Sequence, residues 1–297
     1  MKRLILDKIE KPISIEELSS ITGLNNSEIF EILNNMEKEG YIISRECRVD
    51  GIVRYYIDNQ NKKSSININY FFRTFKLLIL SDSHMGRNKH NRYFDLIENY
   101  IINNDIHITL FLGDMIDGVI DNNKTNDSLI KTQIQEFLDN FPNITNNIVL
   151  YILGNHDYSA YHYNGIDIKE MIDTREDFIY VATGAGNIRI GKDLVTLRHD
   201  LVLKEMPSDI ENGRVIFKGH SHKYCINNNV VIVPALLEDH FYKDILSRGF
   251  LEATITMDND DHIKDLSLKH LVFDKGRIRD VSDNVVQLPN IKVKKNI

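Results

Sequence analysis

Short apolar runs alternate with polar segments along most of this chain, and their spacing predicts an alternation of strands and helices. Runs rich in Ile, Leu and Val occupy residues 77–80, 109–112, 149–153 and 215–217. Runs of this length and composition are typical of strands that are buried on both faces. Apolar residues recur at helical spacing in 90–103 and 129–138, which predicts amphipathic helices. The alternation favours an α/β sheet over a helical bundle.

The pattern changes beyond residue 187, where strands dominate. The predicted strands are at 187–190, 194–197, 215–217, 230–233, 250–256 and 266–273. Together with the alternating first half, they predict a two-sheet α/β sandwich over residues 66–290. Residues 291–297 are predicted to be a frayed tail.

The first 65 residues follow a pattern of their own, and we predict a small separate domain over 1–65. The predicted elements are a short helix before Pro12, helices at 15–21 and about 26–39, and strands at 41–44 and 53–57. Ser14 and Glu17 form a capping-box pattern at the start of the second helix. A hairpin around Asp50 and Gly51 joins the strands. This order resembles a winged helix-turn-helix domain, with a polar linker at 59–72 behind it.

A winged helix implies contact with DNA, with its third helix in the major groove and its wing on phosphates. The third helix here is acidic, a surface that phosphate would repel; it carries Glu28, Glu31, Glu37 and Glu39. The hairpin and the residues after it are basic, with Arg45, Arg48, Arg54, Lys62 and Lys63. Winged helices also serve as protein-contact modules. The sequence favours neither DNA nor a protein partner over the other.

Composition narrows the class of protein only modestly. Hydrophobic residues make up 42% of the 297-residue chain and charged residues 27%, as in ordinary soluble globular proteins. The net charge of -7 argues against a basic field over the whole surface. The two cysteines, Cys47 and Cys225, exclude a disulfide scaffold and are interpreted as small buried apolar residues. No segment predicts a signal peptide or a membrane-spanning helix, so we expect a cytoplasmic protein without membrane contact.

Asp, His and Asn residues follow the predicted strands. The segments are Asp82-Ser83-His84, Gly113-Asp114-Met115-Ile116-Asp117, Gly154-Asn155-His156-Asp157, His199 and Gly219-His220-Ser221-His222. Because these strand ends are expected at one edge of a sheet, the side chains should lie together. Carboxylates bind hard divalent cations, and imidazole suits Mn, Fe, Co, Ni and Zn. Two such ions about 3.5–4 Å apart clamp a phosphate and activate water. The set therefore predicts a two-metal phosphoesterase site.

Each segment taken alone has a simpler interpretation. The first is typical of a loop, the second of a common turn, and the third, through Gly154 and Asn155, of a type I′ turn. His199 is isolated, and isolated histidines usually lie on surfaces or in satisfied cores. The joint occurrence of the segments in this order decides for a metal site. The remaining histidines lack such context and are predicted to be structural or exposed: His90, His107, His162, His240, His262 and His270.

The ordered set is similar to that of the calcineurin-like metallophosphoesterase superfamily, over residues 77–222. The resemblance implies the metallophosphoesterase sandwich fold and two metal ions bridged by Asp114. The implied ligands are Asp82, His84 and His222 for the first ion, and Asn155, His199 and His220 for the second. His156 would protonate the leaving oxygen or stabilise the phosphate, and Asp117 or Asp157 would orient its imidazole. Two imidazoles per ion disfavour Ca²⁺; manganese is the foremost candidate, with iron, zinc, cobalt or nickel as alternatives.

The implied function is hydrolysis of phosphodiester bonds in DNA or RNA, as by a nuclease, through metal-bound hydroxide. Gly118 stands where protein Ser/Thr phosphatases carry an arginine, which argues against a phosphatase of that type. Residues 233–236 read Val-Pro-Ala-Leu where many members have Asn-Pro-Gly-Ser, so the substrate loop is altered. Two alternatives stay open. One is a phosphomonoesterase or small-nucleotide phosphodiesterase, and the other is a DNA- or protein-binding regulator that carries a phosphoesterase domain.

Overall fold

The computed structural model describes residues 1–57, 65–87, 93–118, 127–201, 213–236 and 245–282. The helices in these ranges are α1 (Lys2–Lys8), α2 (Ile15–Thr22), α3 (Asn26–Lys38), α4 (Tyr93–Asn103), α5 (Asp127–Asn140), α6 (Asn155–Asn164) and α7 (Ile168–Ile172). The strands are β1 (Ile13–Ser14), β2 (Ile43–Arg48), β3 (Val53–Ile57), β4 (Ile66–Asn69), β5 (Thr74–Leu80), β6 (Ile108–Leu112), β7 (Ile148–Leu153), β8 (Phe178–Thr183), β9 (Ala185–Ile190), β10 (Asp193–Arg198), β11 (Val215–Lys218), β12 (Cys225–Asn227), β13 (Val230–Ile232), β14 (Gly249–Met257), β15 (Ile263–Asp274) and β16 (Arg277–Asp280).

These strands form two sheets, which confirms the predicted two-sheet α/β architecture. One sheet has the order β16-β15-β14-β5-β6-β7-β8, and the other has the order β1-β3-β2-β4-β9-β10-β11-β13-β12. Alternate residues along β5 serve two cores because strand side chains point to opposite faces. Leu77 and Ile79 belong to the core shared by strands of both sheets, whereas Leu78 and Leu80 pack with residues of α4 and α5.

Parallel pairing sets the position of the polar motifs. Strands β5, β6, β7 and β8 are parallel neighbours, so their carboxyl ends lie at one edge of the sheet. In the other sheet, β10 and β11 are also parallel, with Arg198 opposite Lys218 at their carboxyl ends. The polar segments that follow these strands therefore leave the two sheets at ends that can meet.

The amino-terminal unit has the predicted helices and hairpin. The capping box at Ser14 and Glu17 is present, and a second capping box at Asn25 and Glu28 begins α3. Backbone pairing continues beyond the hairpin, since β2 pairs with β4 and β4 pairs with β9. The unit therefore extends the second sheet, and the domain boundary at residue 65 stays a prediction. Its assignment as a winged helix stays a prediction.

Two local predictions differ from the structure. Residues 66–69, expected in the linker, form β4 because they pair with strands on both sides. The simpler interpretation of Gly154 as part of a type I′ turn is excluded, because Gly154 is the N-cap of α6. Cys47 is buried as expected, whereas Cys225 is exposed on β12.

Several predictions fall on residues outside the described ranges: the linker at 59–64 with Lys62 and Lys63, His90, His240 and the tail at 291–297. A search of the described helices for membrane spans finds none that is long and apolar enough.

Candidate metal centre

The predicted ligands come from both sheets. Asp82 and His84 follow β5, Asp114 follows β6, and Asn155 begins α6 directly behind β7. From the second sheet, His199 follows β10, and His220 and His222 follow β11. The structure brings the seven side chains together in two groups.

The first group consists of Asp82, His84 and His222, whose ligand atoms all lie within 4.8 Å of one another. His222 Nε2 lies 3.1 Å from Asp82 Oδ1 and 3.2 Å from His84 Nε2. His84 Nε2 lies 3.8 Å from the same Asp82 oxygen. One carboxylate oxygen and two imidazole nitrogens thus face a common point, an arrangement that suits a divalent transition-metal ion.

The second group consists of His199 and His220, with the Asn155 amide beside them and an Asp114 oxygen within 4.8 Å of a ring nitrogen of each. Asn155 Oδ1 lies 3.1 Å from His199 Nε2 and 2.8 Å from His220 Nδ1. His199 Nδ1 lies 2.6 Å from the Leu112 carbonyl oxygen. Because a carbonyl only accepts, His199 donates through Nδ1, and its Nε2 keeps the lone pair that a metal needs.

Asp114 lies between the two groups. Its Oδ2 is 3.1 Å from His199 Nε2 and 3.7 Å from His84 Nε2. Its Oδ1 accepts a hydrogen bond of 2.9 Å from the backbone N–H of His156. Burial alone would raise the pKa of the Asp114 carboxyl, but the nearby His199 and His84 imidazoles lower that pKa to about 2. The group is therefore ionised and can bridge two cations.

The backbone at the predicted ligands is unusual. Asp82, His84, Asp114, His220 and His222 all have positive φ angles, which non-glycine residues rarely adopt. Such conformations persist where the surrounding structure enforces them, and they cluster at functional sites. Gly154 allows one close approach of this kind, because a Cβ atom there would lie 2.2 Å from Asp114 Oδ1. The chain thus accepts backbone strain to point these side chains at common positions.

Burial and charge show that the donor set fits divalent metal ions. Asp82 and His199 are fully buried, yet Asp82 Oδ1 has no hydrogen-bond partner among the residues that the structure describes. Burial disfavours a charged imidazole, but Asp117 and Asp82 raise the pKa of His84 to about 10. In the same way, Asp114 and Asp82 overcome burial and raise the pKa of His199 to about 9. A cavity that favours positive charge this strongly, lined by N and O donors, suits a cation.

His156 lies beside the first group. Its ring meets the His84 ring edge-on, with 4.5 Å between centroids. Its Nδ1 donates to the Asp117 carbonyl oxygen at 2.7 Å, which leaves Nε2 for other contacts. The Asp117 carboxylate is closer to His84 Nδ1, at 3.3 Å, than to His156 Nδ1, at 3.9 Å. Asp117 therefore contacts His156 through its main-chain carbonyl, whereas its carboxylate lies next to the predicted metal ligand His84.

Asp157 makes different contacts from those expected. Its carboxylate accepts hydrogen bonds from the backbone N–H groups of Gly154, Met115 and Ile116 at 2.9–3.2 Å. It therefore ties the start of α6 to the segment behind β6 instead of orienting the His156 imidazole. Burial and the neighbouring Asp114 charge raise the pKa of Asp157 to about 7.

Three supporting residues were not predicted from the sequence. Arg87 Nε lies 3.0 Å from Asp117 Oδ1, and the Arg87 side chain is 36% exposed beside the cluster. Ser83 donates through its hydroxyl to the Met115 carbonyl at 2.7 Å. Gln133, buried on α5, accepts from the Gly118 N–H at 2.9 Å. Of these three residues, only Gln133 had a signal in the sequence, because it is a polar residue on the apolar face of a predicted helix.

The other histidines in the described residues lie apart from the two groups. His107 contacts Asp105, and His262 contacts Asp193. His270 is buried, and His162 is exposed on α6. For these four, the expectation of a structural or exposed position agrees with the structure.

Comparison with known proteins places this arrangement in a family. A model of the calcineurin-like phosphoesterase family matches residues 75–247, more than half of the chain. A search of curated proteins found no significant match. Among solved structures, the chain is similar to the nuclease MPE of Pseudomonas putida, at 14% sequence identity and a TM-score of 0.31, covering 60% of this chain and 83% of that one. A likeness that distant says nothing about the substrate of this chain.

The matched region contains both side-chain groups, Asp114 between them and His156 beside them. The chain belongs to the calcineurin-like phosphoesterase family and is a metal-dependent phosphohydrolase.

Proposed function

We propose that the chain hydrolyses phosphodiester bonds, with nucleic acid as the substrate class, at a dinuclear metal centre. One observation carries the dinuclear assignment: Asp114 Oδ2 lies within 3.7 Å of an imidazole nitrogen from each of the two groups. The first ion would be held by Asp82, His84 and His222, and the second by Asn155, His199 and His220. Divalent ions supply Lewis acidity and activate water near neutral pH. Manganese is the first candidate, and iron, zinc, cobalt and nickel suit the same donors.

His156 is the proposed acid. Its Nδ1 donates to the Asp117 carbonyl, so in the imidazolium form Nε2 is the atom that gives a proton to the leaving oxygen. The side chain is 26% exposed, unlike His84 at 1%, so a substrate can reach it. Asp117 is a positioning residue in this proposal. Its carbonyl fixes the tautomer of His156, and its carboxylate lies 3.3 Å from His84 Nδ1.

Apart from the proposed metal ions, the few cationic side chains at the site suit a diester better than a monoester. A phosphate monoester carries up to two negative charges near pH 7, whereas a diester linkage carries one. Within the described ranges, Arg87 is the one Arg or Lys side chain that forms an ion pair with the Asp117 carboxylate. Gly118 offers no further positive charge. The monoanionic linkage needs less compensation by cationic side chains.

The assay that tests this function compares substrates in the presence of Mn²⁺. We expect turnover of single-stranded DNA or bis-(p-nitrophenyl) phosphate, loss of turnover in EDTA, and recovery on adding Mn²⁺. Failure to cleave DNA, RNA and the model diester with any of the five metals would refute the proposal. A higher kcat/KM for p-nitrophenyl phosphate than for bis-(p-nitrophenyl) phosphate would instead favour the alternative function of a phosphomonoesterase.

A second proposal concerns the amino-terminal unit. Its third helix, α3, contacts the region that contains the metal centre. Ser27 Oγ donates to Glu176 at 3.0 Å, and Lys38 lies 4.0 Å from Glu170. The hairpin turn also packs there, since a Cβ atom at Gly51 would lie 2.0 Å from the Asn146 carbonyl oxygen. We infer that the two elements a winged helix presents to DNA serve here as an intramolecular contact.

The position of that contact agrees with a role away from the substrate. Asn146 precedes β7, whereas Asn155 follows it, and the six residues of β7 span roughly 20 Å at the usual rise per residue. DNA held by the amino-terminal unit would therefore not be delivered directly to the metal centre.

Selection of bound duplexes from a random-sequence library tests this second proposal. We expect the full chain, at 0.15 M salt, to enrich no common sequence, because α3 is acidic and contacts Glu176 and Glu170 of the same chain. Enrichment of one sequence, lost on Arg48→Glu in the hairpin, would contradict it and restore the DNA-binding regulator as the better interpretation.

A further inference from the structure

Helix α6 starts at the metal centre, and the face that continues from Asn155 is aromatic. Tyr158 and His162 follow Asn155 by three and seven residues, so all three lie on one face of the helix. Tyr161 lies beside them and is 55% exposed. Ala160, on the opposite face, is buried. We call Tyr158, Tyr161 and His162 the aromatic face.

The three rings form one cluster. The Tyr158 and Tyr161 centroids are 6.0 Å apart, and those of Tyr158 and His162 are 6.3 Å apart. Their planes are tilted by 39° and 34°, so the rings are offset rather than spread around the helix. A single exposed tyrosine is ordinary on a protein surface, whereas an aromatic cluster next to a reactive site is typical of a binding surface.

The helix rise sets the distance from the metal centre. At 1.5 Å per residue, Tyr158 lies about 4.5 Å and Tyr161 about 9 Å along the axis from Asn155. Measured along the helix axis, the aromatic face thus begins within the length of one nucleotide of Asn155, whose side chain contacts His199 and His220. Its continuity with the proposed ligands distinguishes this surface from the exposed aromatic residue Phe72, which precedes β5.

We propose that the aromatic face is a subsite for a nucleobase of the substrate, next to the scissile phosphate. This inference rests on the proposed function and adds the substrate class to it. An aromatic ring binds the π-face of any base, with a contribution of about 1–3 kcal/mol per base and little sequence preference. Bases in a duplex are already stacked and paired, so the subsite selects single strands or free nucleotides. The net charge of the chain is -7, and stacking would add affinity that this overall charge does not supply.

The test compares substrates that differ only in the base. For wild type with Mn²⁺, we expect kcat/KM for an oligothymidylate to exceed that for an abasic oligomer of equal length. Tyr161→Ala should lower kcat/KM for the oligothymidylate about 5- to 100-fold and leave the abasic oligomer unchanged, since only stacking is lost. Tyr161→Phe, which keeps the ring, should stay within about twofold of wild type. Phe72→Ala is the matched control for loss of an exposed ring, and it should leave kcat/KM for both oligomers unchanged.

A binding measurement separates this inference from the proposed function. By calorimetry, the Mn²⁺-loaded protein should bind thymidine monophosphate more tightly than deoxyribose 5-phosphate, and Tyr161→Ala should remove the difference. Equal affinities in wild type, or equal loss on both oligomers, would overturn the subsite even if diesters are cleaved. A base-dependent affinity without any diester cleavage would instead refute the proposed function and leave the subsite. Faster turnover of 3′,5′-cyclic nucleotides than of oligomers would identify a free nucleotide as the source of the base.

Discussion

Replacing Asp114 by alanine is expected to remove both metal ions and to lower the rate of phosphodiester hydrolysis at least about 10³-fold. The reason is its position between the groups, with one carboxylate oxygen 3.1 Å from His199 and 3.7 Å from His84. The other proposed ligands belong to one group each, so no other single replacement should affect both ions equally. Metal content per chain, measured by mass spectrometry after desalting, checks the first part, and Mn²⁺-dependent hydrolysis checks the second.

Two further variants make the result interpretable. Asp114→Asn keeps an oxygen that can accept from the His156 N–H, so it preserves the local fold while removing the negative charge. It should lose metal nearly as fully as the alanine variant. Asp105→Asn, at an exposed carboxylate before the same strand β6, should leave metal content and rate unchanged. If a folded Asp114→Asn variant retained two ions per chain, the bridging role would be wrong.

The sandwich could be predicted from the sequence because its central strands are continuous apolar runs. Strands β6 and β7 are buried at every residue, and short runs of this kind are typical of parallel strands covered on both faces. Strand β4 was missed because four residues beside a polar linker gain their structure from pairing with β2 and β9. Local composition does not reveal such partners. For the same reason, the short edge strands β12 and β16 had no distinctive pattern.

The candidate site was predictable in its residue types and less so in its contacts. Strand ends and residue chemistry were enough to place the seven proposed ligands in one site, because parallel strands bring their ends together. Their division between two ions came from the resemblance to the metallophosphoesterase superfamily. The roles of Asp117 and Asp157 depended on side-chain direction, which the sequence left open. The Asp157 carboxylate turns to three backbone N–H groups, and its place three residues after Gly154 matches a helix-capping pattern. Arg87 had no signal, since its contact with Asp117 is formed only by the fold.

His156→Ala is expected to keep both metal ions and to lose about 10²- to 10⁴-fold in kcat on DNA, the usual contribution of a positioned proton donor. A metal-ligand role would give a different result, and His156 does lie near His84 and Asp117 in a group whose ligand atoms fall within 4.8 Å of one another. His156 Nδ1 already donates to the Asp117 carbonyl, so Nε2 is the atom that would serve either as the proton donor or as a metal ligand. The metal content of His156→Ala therefore separates the two roles. If His156 is an acid, the variant keeps two ions per chain, and if His156 is a ligand, the variant binds fewer.

The leaving group gives the sharper measurement. An alkoxide leaving from DNA needs a proton, whereas p-nitrophenolate leaves without one, so the His156→Ala defect should be much smaller on bis-(p-nitrophenyl) phosphate. His107→Ala is a matched control, because its side chain is 28% exposed against 26% for His156 and it lies apart from both groups. An equal defect on both substrates would show that His156 binds the phosphate instead of protonating the leaving oxygen. An undiminished rate on DNA would remove it from the mechanism.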